Sequence, residues 1–144
     1  MFGLGGPDVI ILLIIILPIG FYLLTLCRAI SRCSPESRTL SPYFPLLICI
    51  PFIGFIFHFI VIFRLYETLS NEFSNRGINE NLSNTKGVGI MMLVLGLIVV
   101  PIISSINNIS SSDSQIILML LLYGSIILWI YYWYKIARYS AKLK

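Results

Sequence analysis

PYFPLLICIPFIGFIFHFIVIFR, running from Pro42 to Arg64, decides how this chain is laid out. The stretch is apolar enough to enter a bilayer, yet Pro51 and Gly54 break it near its middle, and positive charges flank it on both sides. If it crosses a membrane, the segments before and after it face opposite compartments. If it turns back, they face the same one.

Three unbroken apolar runs surround it: Val9–Cys27, Gly87–Ile106 and Ile116–Tyr134. Runs of about 18 or more apolar residues without charge have the length of a transmembrane helix. Twelve of the 19 residues in the first run are Leu or Ile. At roughly −0.5 kcal/mol each, they favour insertion by about 6 kcal/mol. Pro18 and Gly20 lie within this run as candidate bends. The composition agrees: 58% of the 144 residues are hydrophobic and 11% are charged, against roughly 25% charged in a soluble domain. The expectation is an all-α integral membrane bundle forming a single domain over residues 1–144.

The net charge of +4 comes from ten Lys and Arg against six Asp and Glu. These cations flank apolar runs, where they orient helices and meet anionic headgroups. A nucleic-acid partner would need a basic face on a folded soluble unit, and nucleic acid is not expected. Counting cations distinguishes the two layouts of the 42–64 stretch. As a full span it leaves three Lys and Arg (28–38) on one side and seven (64–86 and the C-terminal tail) on the other. As a re-entrant hairpin with the N-terminus outside, it places all ten inside, and the octapeptide MFGLGGPD and the linker NNISSSDSQ, both free of Lys and Arg, outside. Positive charge accumulates on the cytoplasmic side, so the hairpin is the better fit and a Pro-kinked fourth span the alternative. Length agrees, since Phe44–Ile50 and Phe55–Phe63, as helices, each reach about 10–14 Å, near half the hydrocarbon thickness.

Beyond the break the periodicity changes. Phe59, Ile62, Phe63, Tyr66, Leu69 and Phe73 recur every three or four residues, with Arg64, Glu67, Thr68, Asn71 and Glu72 opposite them. This predicts an amphipathic helix over 59–76 on the cytoplasmic surface, with Glu67 and Glu72 on a solvated face and Gly77 as its stop. INENLSNTKG reads as a loop. The last run ends in Trp129, Tyr131, Tyr132, Trp133 and Tyr134, then Lys135, Arg138, Lys142 and Lys144. Aromatics followed by cations mark a membrane–water interface, so Trp129, Trp133, Tyr134, Lys135, Arg138 and Lys142 are the expected contacts to anionic phospholipid headgroups.

Reactive chemistry is sparse. Cys27, Cys33 and Cys49 form no CxxC pair and read as unpaired. His58, the single histidine, lies in the apolar stretch. An ionisable group at that depth is a functional candidate, but no carboxylate shares its segment. Asp8 and Asp113 both fall on the external side of the hairpin layout. No Ser/His/Asp set, HExxH or phosphate loop is present, so no catalytic residue, metal ligand or cofactor is expected. His58, Pro51, Gly54, Arg64 and Glu72 remain as candidates for function.

Two resemblances can be read in the chain. Arg38-Thr-Leu-Ser-Pro42, Ile50-Pro51, Arg64 with Leu69-Ser-Asn-Glu72-Phe73, Arg76-Gly77 and Tyr132-Trp-Tyr-Lys135-Ile-Ala-Arg-Tyr139-Ser140 together resemble a family of small bacterial membrane proteins to which no activity is attached. The resemblance covers about a quarter of the chain and implies a bacterial cytoplasmic membrane. It departs at the turn, where Ile48, Phe52 and Gly54 stand in place of the Asn and Trp of that pattern. The opening MFGLGGPDVIIL resembles the start of the small pore-forming subunit of the twin-arginine translocase. That family continues with one amphipathic helix and a polar tail, whereas this chain enters the membrane again. The functional expectation is a non-enzymatic scaffold or accessory subunit that binds other membrane-protein subunits or itself. The alternative is a small transporter or channel using the broken helix at Pro51–Gly54.

Overall fold

Four α-helices and one 3-10 helix carry the described residues. They are α1 (Gly6–Ser31), the 3-10 helix (Phe44–Cys49), α2 (Gly54–Asn75), α3 (Ser83–Ser105) and α4 (Ser112–Lys142). This computed structural model describes residues 6–50, 53–105 and 112–143, and all regular structure among them is helical. Helices α1 over Val9–Ser31 and α4 over Gln115–Lys142 are long and apolar enough to cross a membrane. The described apolar part of α3, Ser83–Val99, is shorter. The far end of the expected Gly87–Ile106 run lies outside the described side chains.

Each helix is longer than its apolar run. Leaving aside the turns close to the helix ends, a continuing helix satisfies its own N–H and C=O groups whatever surrounds it, so helix ends follow caps rather than hydrophobicity. Helix α1 continues through Pro18 and ends ahead of Pro35. Helix α3 begins at Ser83, inside the stretch expected to be loop, where Asn81 Oδ1 accepts the Ser83 N–H at 3.0 Å. Helix α2 stops as the sequence predicts. Gly77 takes a φ of 64°, and its N–H reaches the Ser74 carbonyl at 3.1 Å while the Ile78 N–H reaches that of Phe73 at 2.8 Å. This pair of bonds is a Schellman cap, closed by the apolar residues Ile78 and Phe73.

The 42–64 stretch differs from expectation in two ways. Its first half is a 3-10 helix instead of an α-helix, with Pro45 at its start. Its second half and the amphipathic segment form one continuous helix, α2. Pro51 lies outside the described residues. Gly54 starts α2 with its N–H 2.7 Å from the Ile50 carbonyl. A Cβ there would lie 2.9 Å from the Ile48 carbonyl carbon and closer still to its oxygen. Only glycine lets the two backbones approach so closely.

Cross-contacts give the helix directions. Tyr22 packs on Trp129, Thr25 bonds to Trp133 and Arg32 bonds to Ser140, so α1 and α4 run parallel in constant register. His58 meets Tyr22 and Glu72 meets Ser34, so α2 runs in the same direction. Helix α3 runs against them, with Thr85 beside Tyr139 and Gly89 so close to Ile62 and Tyr132 that a Cβ would lie within 2.9 Å of both. The buried core occupies one end: Tyr22 to Cys33, Val61 to Phe73, Leu82 and Met92–Leu93, and Tyr132 to Leu143. At the other end α1 is exposed all round, from 41% at Val9 to 65% at Ile14.

Candidate functional site

The core end carries the densest polar chemistry in the described structure, built around a residue assigned above to a solvated face. Glu72 is 1% exposed and Thr68 is fully buried, which corrects that assignment. The amphipathic pattern identified the apolar stripe of α2. It could not reveal that the 33–39 loop folds over the adjacent polar strip and buries it. Arg64 and Glu67 do stand outward, paired at 3.1 Å.

Glu72 Oε2 accepts the Ser34 N–H at 2.8 Å and the Ser34 hydroxyl at 2.7 Å. Its Oε1 accepts Arg76 Nε at 2.6 Å. Burial alone would raise the Glu72 pKa. The bonds from Ser34, the neighbouring Ser37 hydroxyl and Arg76 outweigh burial and hold it down to about 2. Ser37 is buried in turn, sharing a bond with Ser34 and receiving one from Asn75 Nδ2 at 2.9 Å.

Three of the arginines that flank the apolar runs are engaged within the chain. Arg38 donates to the carbonyls of Cys33 and Ser31 at 2.9 and 2.7 Å. Arg76 reaches the Arg32 carbonyl at 3.3 Å and that of Leu143 at 3.4 Å. Arg32 donates to the carbonyl and hydroxyl of Ser140 at 2.6 and 3.0 Å. Guanidinium forks thus satisfy the open carbonyls at the ends of α1 and α4. Lys142 of α4 pairs with Glu80, and Tyr139 bonds to Thr85 and the Asn81 carbonyl. Cys33 lies under this layer. Burial, reinforced by the Glu72 charge and partly offset by Arg38 and Arg76, pushes its thiol up to about 11.

A further set of bonds joins the two ends of the broken stretch. Thr39 Oγ1 donates to the Arg64 carbonyl at 2.9 Å, and the Thr39 N–H reaches Thr68 Oγ1 at 3.1 Å. The residues that enter and leave the 42–64 stretch therefore touch. These bonds, with those of Glu72, form a polar clasp across α1, the 32–40 loop, α2 and α4. Arg38, Thr39, Glu72, Arg76, Tyr139 and Ser140 meet in or beside it.

The second candidate lies deeper. His58 Nε2 is 2.7 Å from the Tyr22 hydroxyl, and Tyr22 packs against Trp129 and Trp133 with ring centroids 5.4 and 6.3 Å away. Trp133 Nε1 donates to Thr25 Oγ1 at 2.9 Å. The two indoles are half-buried and turn toward α1, whereas Tyr134 and Arg138 stand exposed and Lys135 lies over the Tyr131 ring. Beside His58 a cleft of about 340 Å³ is lined by Phe55, Met92, Leu93, Gly96, Ser125, Ile126 and Trp129. Its wall is chiefly apolar. Among the described residues no three His, Cys, Asp or Glu side chains gather as a metal site would require. The side chains of Asp8 and Asp113 lie outside the description.

No protein-family model matches the chain, and no curated protein or solved structure gives a match.

Proposed function

We propose that this is a multi-pass protein of a bacterial cytoplasmic membrane with its N-terminus outside and its C-terminus inside. In this reading α1, α3 and α4 span the bilayer and the 42–64 stretch is a re-entrant hairpin. The protein serves as a non-enzymatic scaffold or accessory subunit. The observation that carries the layout is the clasp. Thr39 lies within hydrogen-bonding distance of both the Arg64 carbonyl and Thr68, so a segment held in this way enters and leaves on one face. The outward apolar side chains of α1 and α4 support immersion in lipid, because an unfilled apolar surface of that extent is costly in water.

The scaffold reading rests on how the polar groups are used. Around Glu72 the bonds link parts of the chain to one another, and the groups making them serve to hold four segments in place. Tyr134, Arg138 and the Arg64–Glu67 pair remain outward on the same face and are available to headgroups or to a partner subunit. Purification in mild detergent tests this reading: a stable assembly with itself or another membrane protein is expected. Recovery of monomer alone, both in native membranes after cross-linking and in detergent, would overturn it. The small transporter or channel reading draws support from the cleft beside His58. It requires solute flux in proteoliposomes that His58→Ala abolishes.

A further inference from the structure

The described part of the hairpin stops halfway up the bundle, and the geometry points to a lipid chain completing it. Helix α2 begins at Gly54, one turn above His58, and His58 lies level with Tyr22 of α1. The first helical residue of α2 is thus level with about Pro18. Above it α1 continues for twelve residues, about 18 Å at 1.5 Å per residue, or about half the hydrocarbon thickness or a little more. Over that height α1, α3 and α4 have no described fourth helix between them.

Two clefts open at the foot of that gap, the first beside the opening turn of α2 and the second reaching one turn higher along α1. One, of about 340 Å³, lies beside Phe55, His58 and Gly96. The other, of about 530 Å³, lies between Ile14, Ile15, Pro18 and Ile19 of α1 and the same two residues of α4, Ile126 and Trp129. The clefts share that α4 wall, so they flank it at one height. Their lining is hydrocarbon apart from His58, Ser125 and the Trp129 indole N–H. A Cβ on Gly96 would meet no protein atom within 4 Å, so the wall of α3 is set back where the first cleft lies.

The occupant we infer is an acyl chain of a phospholipid in the leaflet opposite the cationic face. The hairpin displaces the lipid of one leaflet. The space above its tip has the height of the other leaflet and the apolar lining that a hydrocarbon chain needs. The Ser125 and His58 side chains lie at the deep end, toward the tip, where the chain terminates. This inference rests on the membrane reading above.

Trp129 lines both clefts and provides the probe. The Trp133→Phe protein is reconstituted into phosphatidylcholine vesicles whose acyl chains are brominated near mid-depth, and its fluorescence is compared with that in unbrominated vesicles. Strong quenching of Trp129 is expected, and Gly96→Leu, which fills the cleft from α3, should remove most of it. Ser125→Leu fills it from α4 and serves if the first variant does not fold, as judged by helix content and protection of Cys33. A Trp at exposed position 130, with Trp129 and Trp133 replaced by Phe, reports bulk lipid and should not respond to Gly96→Leu. Trp129 that is unquenched, or quenched equally in folded cleft-filling variants, overturns the inference. So does shielding that grows with the protein-to-lipid ratio, which would mean that a second copy occupies the gap. If thiols introduced at positions 36 and 79 label from opposite sides, the hairpin reading itself has failed. If they label from one side and Trp129 is unquenched, only the lipid inference has.

Discussion

Glu72 concentrates more of the structure's logic than any other residue. A carboxylate that is nearly fully buried persists only when every lone pair in use has a donor and a counter-charge is close. Ser34 and Arg76 meet both conditions. Removing the charge with Glu72→Gln should cost about 2–3 kcal/mol, toward the lower end for a broken buried pair because Arg76 keeps partial contact with water. The readout is Cys33, whose buried thiol is held above the ordinary range and should resist maleimide in the native protein. With Cys27 and Cys49 replaced by alanine, Glu72→Gln should speed its labelling, and an unchanged rate would show that the clasp does not depend on the charge. The pH dependence has a definite sign. The folded value of about 2 lies below the ordinary value of about 4.5, so the stabilisation is complete above about pH 4.5. It is lost as pH falls toward 2, by up to about 3 kcal/mol. Glu72→Gln should flatten this acid limb in thermal unfolding.

At the scale of an element, α2 depends on two glycines used in different ways. Gly54 permits backbone contact with Ile48, and a methyl group there forces the 3-10 helix and α2 apart. Gly54→Ala should therefore cost about 1–3 kcal/mol and accelerate hydrogen exchange over 44–50. Gly77 has open space around it and a left-handed backbone, so Gly77→Ala should cost about 1 kcal/mol and fray only the last turn of α2. Equal exchange patterns in the two variants would contradict this assignment of roles. The Gly77 stop was legible because a residue type and a backbone conformation correspond at a helix end. The role of Gly54 was legible only as a break, since its neighbour in space, Ile48, is set by how the chain turns. The burial of Thr68 and Glu72 was not legible, because helical periodicity reports angle around an axis and carries no information about which loop lies over it.

For the whole molecule, the position of the core follows from what surrounds each end in the proposed layout. Between apolar helices in lipid there is no hydrophobic gain from burial, so the outer half of α1 stays uncovered, and in that of α4 most described side chains other than Leu118 do too. Where helices leave the bilayer the hydrophobic effect and buried hydrogen bonds both act, and there the four segments pack together. The layout is tested with single thiols in a background lacking the three native cysteines. Glu36 and Asn79 are exposed, whereas Ser37 is buried and bonded to Asn75, so positions 36 and 79 are the useful reporters. Both should react only from the cytoplasmic side, and reaction from opposite sides would replace the hairpin with a kinked span.

Local chemistry in the sequence was enough to determine the helical class, two of the three helices expected to be long and apolar enough to span, the cap at Gly77 and the discontinuity before Gly54. Each depends on neighbours in the chain, on side-chain transfer energies or on backbone preferences. Only the tertiary structure decided which polar groups are buried, that three arginines bind carbonyls of their own chain, and that Trp129 and Trp133 turn toward Tyr22. Those outcomes depend on residues up to 108 positions apart meeting across parallel helices, a relation that periodicity within one segment does not encode.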